Sequence, residues 1–225
     1  MNKLYVPAPP PCEAPKKSAG RPKASDIEAR NQNLVACAGQ LFLRHGYSNV
    51  SLEAIAREAH VAVRTIYVKF GGKAGLLKAA IDANRERFYN VHDLMNDERP
   101  LRESLTEFAL HFYDMVTTPQ AAALKRMVIA EAGKDRELIE TFMASAPDMT
   151  AAMLLNFLSR PANRAQLRDD LPLAQLPNFL LNCVIGDQFT HLLFDQQDAR
   201  PQELRRALPN RLELFFHAVL REPAV

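Results

Sequence analysis

The chain has no tryptophan, only eight glycines and only three cysteines in 225 residues. So little glycine argues against a loop-rich scaffold. Cys12, Cys37 and Cys183 lie far apart with no CxxC pair, which excludes a disulfide framework and a thiolate zinc finger and fits a reducing compartment. No run of Val, Ile and Thr is long enough to suggest a sheet. No uncharged apolar run approaches the roughly 18 residues of a membrane span, and the opening MNKLYVPAPPPC has no apolar stretch of signal-peptide length. Secretion and membrane insertion are not expected. Also missing are a nucleophile elbow, a phosphate-cradling glycine loop and a paired-acid motif.

What is present is 48% hydrophobic and 24% charged, enough for one sizeable core or for a small domain beside a larger one. The net charge of +2 hides an asymmetry. Residues 16–73 hold ten Lys/Arg against four Asp/Glu, a balance of +6, so the remainder carries −4. Proline is uneven too. Six of the fifteen fall before residue 23 (Pro7, Pro9, Pro10, Pro11, Pro15 and Pro22), and the next is Pro100. Residues 1–24 therefore read as an extended Pro-rich, basic arm, and residues 25–99 as uninterrupted helical territory.

Local signals divide that territory. Ser25 to Glu28 has the form of a capping box, and Ile27, Leu34, Val35, Ala38, Leu41 and Phe42 mark one apolar face up to Gly46. A second helix starts at Ser51 with Leu52, Ile55, Ala56 and Ala59 inward, a third covers about 62–69, and the Gly71-Gly72 pair precedes a long fourth over about 73–95. Further on, Pro100, Pro119, Pro147, Pro172 and Pro201 each precede an apolar helical pattern, with Pro177 about two turns into the fourth of these. The whole reads as all-α.

SLEAIAREAHVAVRTIYVKF at 51–70 gives two short helices around a tight turn, the spacing of a helix-turn-helix whose second helix can enter a major groove; any tight helical hairpin can imitate it. Together with LF…HGY before it and GGKAGLL after it, the segment resembles the N-terminal domain of TetR-type transcriptional regulators over about residues 27–80, through Ala38, Leu41, Phe42, Gly46, Ile55, Ala56, Ala59, Val61, Thr65, Tyr67, Phe70, Lys73 and Leu76. Gly20-Arg21-Pro22-Lys23 is similar to the family's basic leader, and RMVIAEAGKDRELIETF at 126–142 is similar to an AefR-like subgroup. Three positions depart from the family pattern: His60 replaces a turn glycine, and Ala62 and Gly72 replace small hydroxyl caps.

The resemblance implies an N-terminal three-helix DNA-binding domain at 25–73 and a larger helical domain at 74–225 for ligand binding and dimerisation. It implies a ligand-responsive DNA-binding regulator, most often a repressor, acting in a bacterial cytoplasm without a cofactor. The residues themselves leave two rivals, an all-α enzyme and a helical binding module that does not read DNA. For base contact the candidates are Val63, Arg64, Thr65 and Lys69. Arg64 has the fork for a guanine edge, and Val63 and Thr65 suit thymine methyls, Val63 being equally suited to a core. For phosphate contact they are Ser51, Tyr67 and Lys73. The last two match phosphate-contacting positions of the family, and Lys73 opens a helix whose free N–H groups attract anions; Tyr67 also reads as a core aromatic. Arg21 and Lys23 are candidates for a minor-groove arm or for general attraction only.

An apolar or aromatic effector is expected among Phe108, His111, Phe112, Met127, Phe142, Met149, Met153, Phe157, Phe179 and Cys183. Soft and aromatic side chains suit such a pocket, although each of these residues is individually also ordinary core. Asn182, Asp187, Gln188 and His191 are polar residues within apolar helices, and the spacing of His111, Asp187 and His191 matches no metal-ligand signature. Dimerisation is expected through helices at about 175–195 and 202–220. The first is apolar nearly all round, and the second carries Leu204, Leu208, Leu212, Phe215 and Val219 on one face, with Leu214 and Phe216 on another.

Overall fold

A computed structural model describes residues 24–89, 94–186 and 201–221, together with Thr190, Leu193 and Phe194. Among them there is no strand. The nearest approach to one is a single antiparallel bridge between Leu167 and Leu220. In chain order the helices are α1 (Ala24–His45), α2 (Leu52–Glu58), α3 (Val63–Phe70), α4 (Lys73–Tyr89), α5 (Leu101–Val116), α6 (Pro119–Glu131), α7 (Arg136–Ser145), α8 (Pro147–Leu158), α9 (Pro161–Arg164), α10 (Leu176–Ile185) and α11 (Pro201–Val219). The all-α reading holds.

Several boundaries differ from expectation, each for a local reason. The first helix begins at Ala24, so Ser25 lies inside its first turn and cannot be the cap. The fourth is helical over Lys73–Tyr89, and Leu94–Asn96, at the end of the expected span to 95, form a 3-10 turn instead. After Pro172 a 3-10 turn covers Leu173–Gln175, and the true helix starts at Leu176 with Pro177 in its first turn, where a missing N–H costs nothing. That helix stops at Ile185, where Gly186 takes φ +46, so the span expected as one helix over 175–195 is interrupted there; Thr190 and Leu193 beyond it are again helical. Pro161 also opens a short helix, unforeseen from the sequence.

The chain forms two compact units, one of residues up to Asn84 with Ala123–Ser145, the other of Arg85–Ala122 with Ala146–Val225. In the first, Leu34, Ala38 and Phe42 of α1, Ile55, Ala56 and Ala59 of α2, Ile66 of α3, and Leu76 and Leu77 of α4 are buried, as are Val128 of α6 and Leu138 of α7. The second unit has one core, built from α5, α8, α10 and α11. Phe108 and Phe112 stack at 5.6 Å, Phe157, Phe215 and Phe216 are sealed, and two ion pairs, Arg102 to Glu213 and Arg205 to Asp114, flank α11 against α5. Phe215 and Phe216, expected on different faces, are both interior, and the Arg102 guanidinium covers the Phe216 ring at 4.6 Å. None of the described helices is long and apolar enough to cross a membrane.

Candidate nucleic-acid interface

The reading motif is built from caps and turns. Ser51 Oγ accepts from the Ala54 N–H at 3.1 Å and starts α2, as a hydroxyl N-cap should. His60 turns the chain between α2 and α3 with φ +55, a left-handed conformation that favours glycine. Ala62 caps α3 without any side-chain hydrogen bond. At the other end Gly71 adopts φ +76, a left-handed cap that a side chain would strain. Gly75 then lets α4 pass the Phe70 carbonyl so closely that a Cβ there would overlap it, at 1.6 Å.

Helix α3 presents a sharply two-sided surface. Ile66 is fully buried and Phe70 half-buried, while Arg64, Tyr67 and Lys69 stand exposed and Val63 and Thr65 are intermediate. Tyr67 is 57% exposed, so it is not the core aromatic that its type also allowed. Val68 is 75% exposed and was not singled out from the sequence, although it shares the 64, 67, 68 face by simple helical spacing. An exposed valine costs apolar hydration, and on a groove-reading helix its methyls suit the thymine methyl.

The cations of this unit differ in their surroundings. Lys69 Nζ donates to Asn31 Oδ1 of α1 at 2.5 Å, which draws it to the side of the reading face. Lys73, the first residue of α4, lies over the Tyr47 ring at 4.4 Å. Burial lowers its pKa, and the carboxylates of Asp135 and Glu131 oppose that shift. Tyr47 itself is buried against Phe42, and burial, with Asp135 and Glu137 nearby, pushes its hydroxyl pKa well above the ordinary value. Glu131 receives the Ser48 hydroxyl at 2.7 Å and the Ser48 N–H at 3.4 Å, a contact across 83 residues that the sequence did not announce. Arg21 and Lys23 lie outside the described residues, as do Asp187, Gln188 and His191.

The effector candidates fall in both compact units. Met127 and Phe142 belong to the first, the other eight to the second. Phe108, Phe112 and Phe157 are packed core, Met127 is buried, and His111, Phe142, Met153 and Cys183 are intermediate. Met149 and Phe179 are exposed at 46% and 43%. A cleft of about 580 Å³ lies at the end of α11, lined by Arg168, Asp169, Asp170, His217, Leu220 and Arg221, and none of the ten candidates lines it. Among the described residues no group of three His, Cys, Asp or Glu side chains is placed to hold a metal ion.

Residues 34–80 match the model of the bacterial regulatory proteins of the tetR family, and residues 103–218 match the AefR-like transcriptional repressor C-terminal domain. The HTH-type transcriptional regulator SrpR of Pseudomonas putida is 27% identical over 212 residues, covering 90% of this chain and 91% of that one. A solved TetR-family regulator from Mesorhizobium loti superposes with a TM-score of 0.71 at 18% identity, over 89% of this chain and all of that one. A solved protein described as the flavonoid-responsive regulator FrrA superposes with a TM-score of 0.67 at 24% identity, over 87% of this chain and all of that one. With a match to the C-terminal model over more than half its length and the reading motif in place, the chain belongs to the TetR family: it is a ligand-responsive DNA-binding transcriptional regulator of the AefR-like repressor type, not an enzyme.

Proposed function

We propose that this regulator represses transcription in a bacterial cytoplasm as a homodimer whose two α3 helices read the halves of a pseudo-palindromic operator, and that an apolar or aromatic small molecule releases it. The observation that carries the reading is the outer face of α3, where Arg64, Tyr67 and Val68 stand exposed over a sealed Ile66. Arg64 reads a guanine edge, with Val68, Val63 and Thr65 beside it for apolar contact. Ser51, Tyr67, Lys69 and Lys73 hold the sugar-phosphate backbone. Lys69 joins that group because Asn31 draws its ammonium aside. Arg21 and Lys23 supply a basic arm in the adjacent minor groove.

Residues 25–73 then act as the reading domain and 74–225 as the regulatory one. Dimerisation through α10 and α11 is supported by Phe179 and Leu214, left 43% and 73% exposed although both helices are otherwise buried along one side. For the effector, the support is the number of Met and Phe side chains in residues 100–190, with the likeness in fold to a flavonoid-responsive regulator beside it. Ligand and DNA must weaken each other by the same factor.

The test is a comparison of Arg64→Ala and Lys73→Ala on a duplex selected from a random pool and on a scrambled duplex. Arg64→Ala should lose about tenfold or more per half-site on the selected duplex only. Lys73→Ala should weaken both alike and flatten the salt dependence by about one per lost phosphate contact. Equal loss on both duplexes for Arg64→Ala would remove it from the reading face.

A further inference from the structure

Glu131 ends α6, and the residue is only 7% exposed. A carboxylate that far from water needs its lone pairs filled. Here the filling groups are the hydroxyl and the N–H of Ser48, with the Lys134 ammonium at 3.9 Å. Ser48 sits in the short turn between α1 and α2. That turn is otherwise fastened by the Gly46 N–H on the Phe42 carbonyl, by the Asn49 amide on the His45 carbonyl and by the buried side chains of Tyr47 and Val50. Three residues beyond Ser48 lies the Ser51 cap that starts α2, and α2 packs on α3. A chain of contiguous contacts thus runs from α6 to the reading helix within one compact unit.

We propose that Glu131 is a positioning residue for DNA recognition: from α6 it fixes the turn that enters the helix-turn-helix, and so sets how α3 meets the groove. This rests on the assignment of α3 as the reading helix. Glu131 touches no base; it acts through Ser48 and α2. Losing it leaves two turn donors without their acceptor and loosens the entry to the motif, while the exposed cations that attract any duplex remain.

The experiment uses the full chain and two probes, the tightest duplex that the unaltered protein selects from a random pool and a scrambled duplex of equal composition. Glu131→Ala is expected to weaken the selected duplex about tenfold and the scrambled one by less than about twofold. Ser48→Ala should lose about threefold on the selected duplex, and the double variant should be no weaker than Glu131→Ala alone, since both changes cut one contact. Glu131→Gln, which keeps one acceptor oxygen, should recover most of the loss. Amide exchange at Tyr47–Val50 should quicken in Glu131→Ala at an unchanged melting temperature. Should Glu131→Ala fail to fold, Ser48→Ala carries the test alone, its loss expected on the selected duplex and not on the scrambled one. Equal loss on both duplexes, additive losses, or unaltered binding in all variants would each overturn the proposal. Loss of discrimination in Arg64→Ala beside unaltered Glu131→Ala would leave the α3 assignment standing and refute only the role of Glu131. Failure to select any duplex would refute the α3 reading itself.

Discussion

Lys125 offers a measurement whose sign follows from the burial of its ammonium. It lies on α6, and desolvation lowers its pKa from 10.5 to about 8. Each pH unit of such a gap corresponds to about 1.36 kcal/mol between charged and neutral forms, so folding with a charged Lys125 costs up to about 3 kcal/mol. Allowing for its remaining contact with water, about 1–3 kcal/mol is the fair range. Below pH 8 both folded and unfolded chains hold the proton and the full cost applies. Between pH 8 and 10.5 the folded chain has released it while the unfolded chain retains it, so this group makes stability rise with pH across that window. Lys125→Met keeps the aliphatic length and deletes the charge. Its stability should exceed the parent's by about 1–3 kcal/mol at pH 7, or about 2–12 °C in melting temperature. The difference should shrink to under about 1 kcal/mol by pH 10, the limit set by these two pKa values. Urea unfolding at pH 7, 8, 9 and 10, at one protein concentration, reads both quantities. A destabilised Met variant, or a difference that does not change with pH, would show that desolvation of the ammonium is not the dominant energy at this site.

Two further outcomes are expected. His60→Gly relieves the φ +55 turn and should stabilise the protein by up to about 1 kcal/mol, because the left-handed strain outweighs the glycine's chain entropy; a lower melting temperature would contradict this. Phe179→Glu with Leu214→Glu places charges on the exposed apolar positions of α10 and α11 and should convert a dimer to monomers of 25.3 kDa by light scattering. An unchanged mass would move the interface elsewhere.

Proline was the most readable punctuation in this sequence. Pro100, Pro119, Pro147 and Pro201 mark helix starts because a ring that cannot donate costs nothing there, whereas Pro209 lies inside α11 and marks no boundary. Pro172 misleads because a 3-10 turn separates it from the helix it announces, and the apolar run after it conceals the stop at Gly186. The helix-turn-helix was legible since its information is local: a cap at Ser51, a turn at His60, a spacing around Ile66. Val68 was equally local, and the 64, 67, 68 spacing was enough to find it. The partnership of Ser48 with Glu131 was not, because 83 residues separate the two and neither pattern nor propensity encodes which buried carboxylate meets which turn. The same distance hides that Ala123–Ser145 packs with the N-terminal segment.

That packing bears on how such a protein can be taken apart and put together. The chain leaves the first unit after Asn84, spends residues 85–122 elsewhere, and returns at Ala123. A ribosome that has released only the first hundred residues has released an unfinished reading head, whose Ser48 waits for a glutamate not yet synthesised. The same holds for recombination. A hybrid gene that joins residues 1–84 to a foreign regulatory half inherits the recognition helix without the α6 carboxylate that fits its turn. Exchange between relatives is therefore cleanest when the 123–145 segment travels with the N-terminal segment, although the two are not neighbours in the gene.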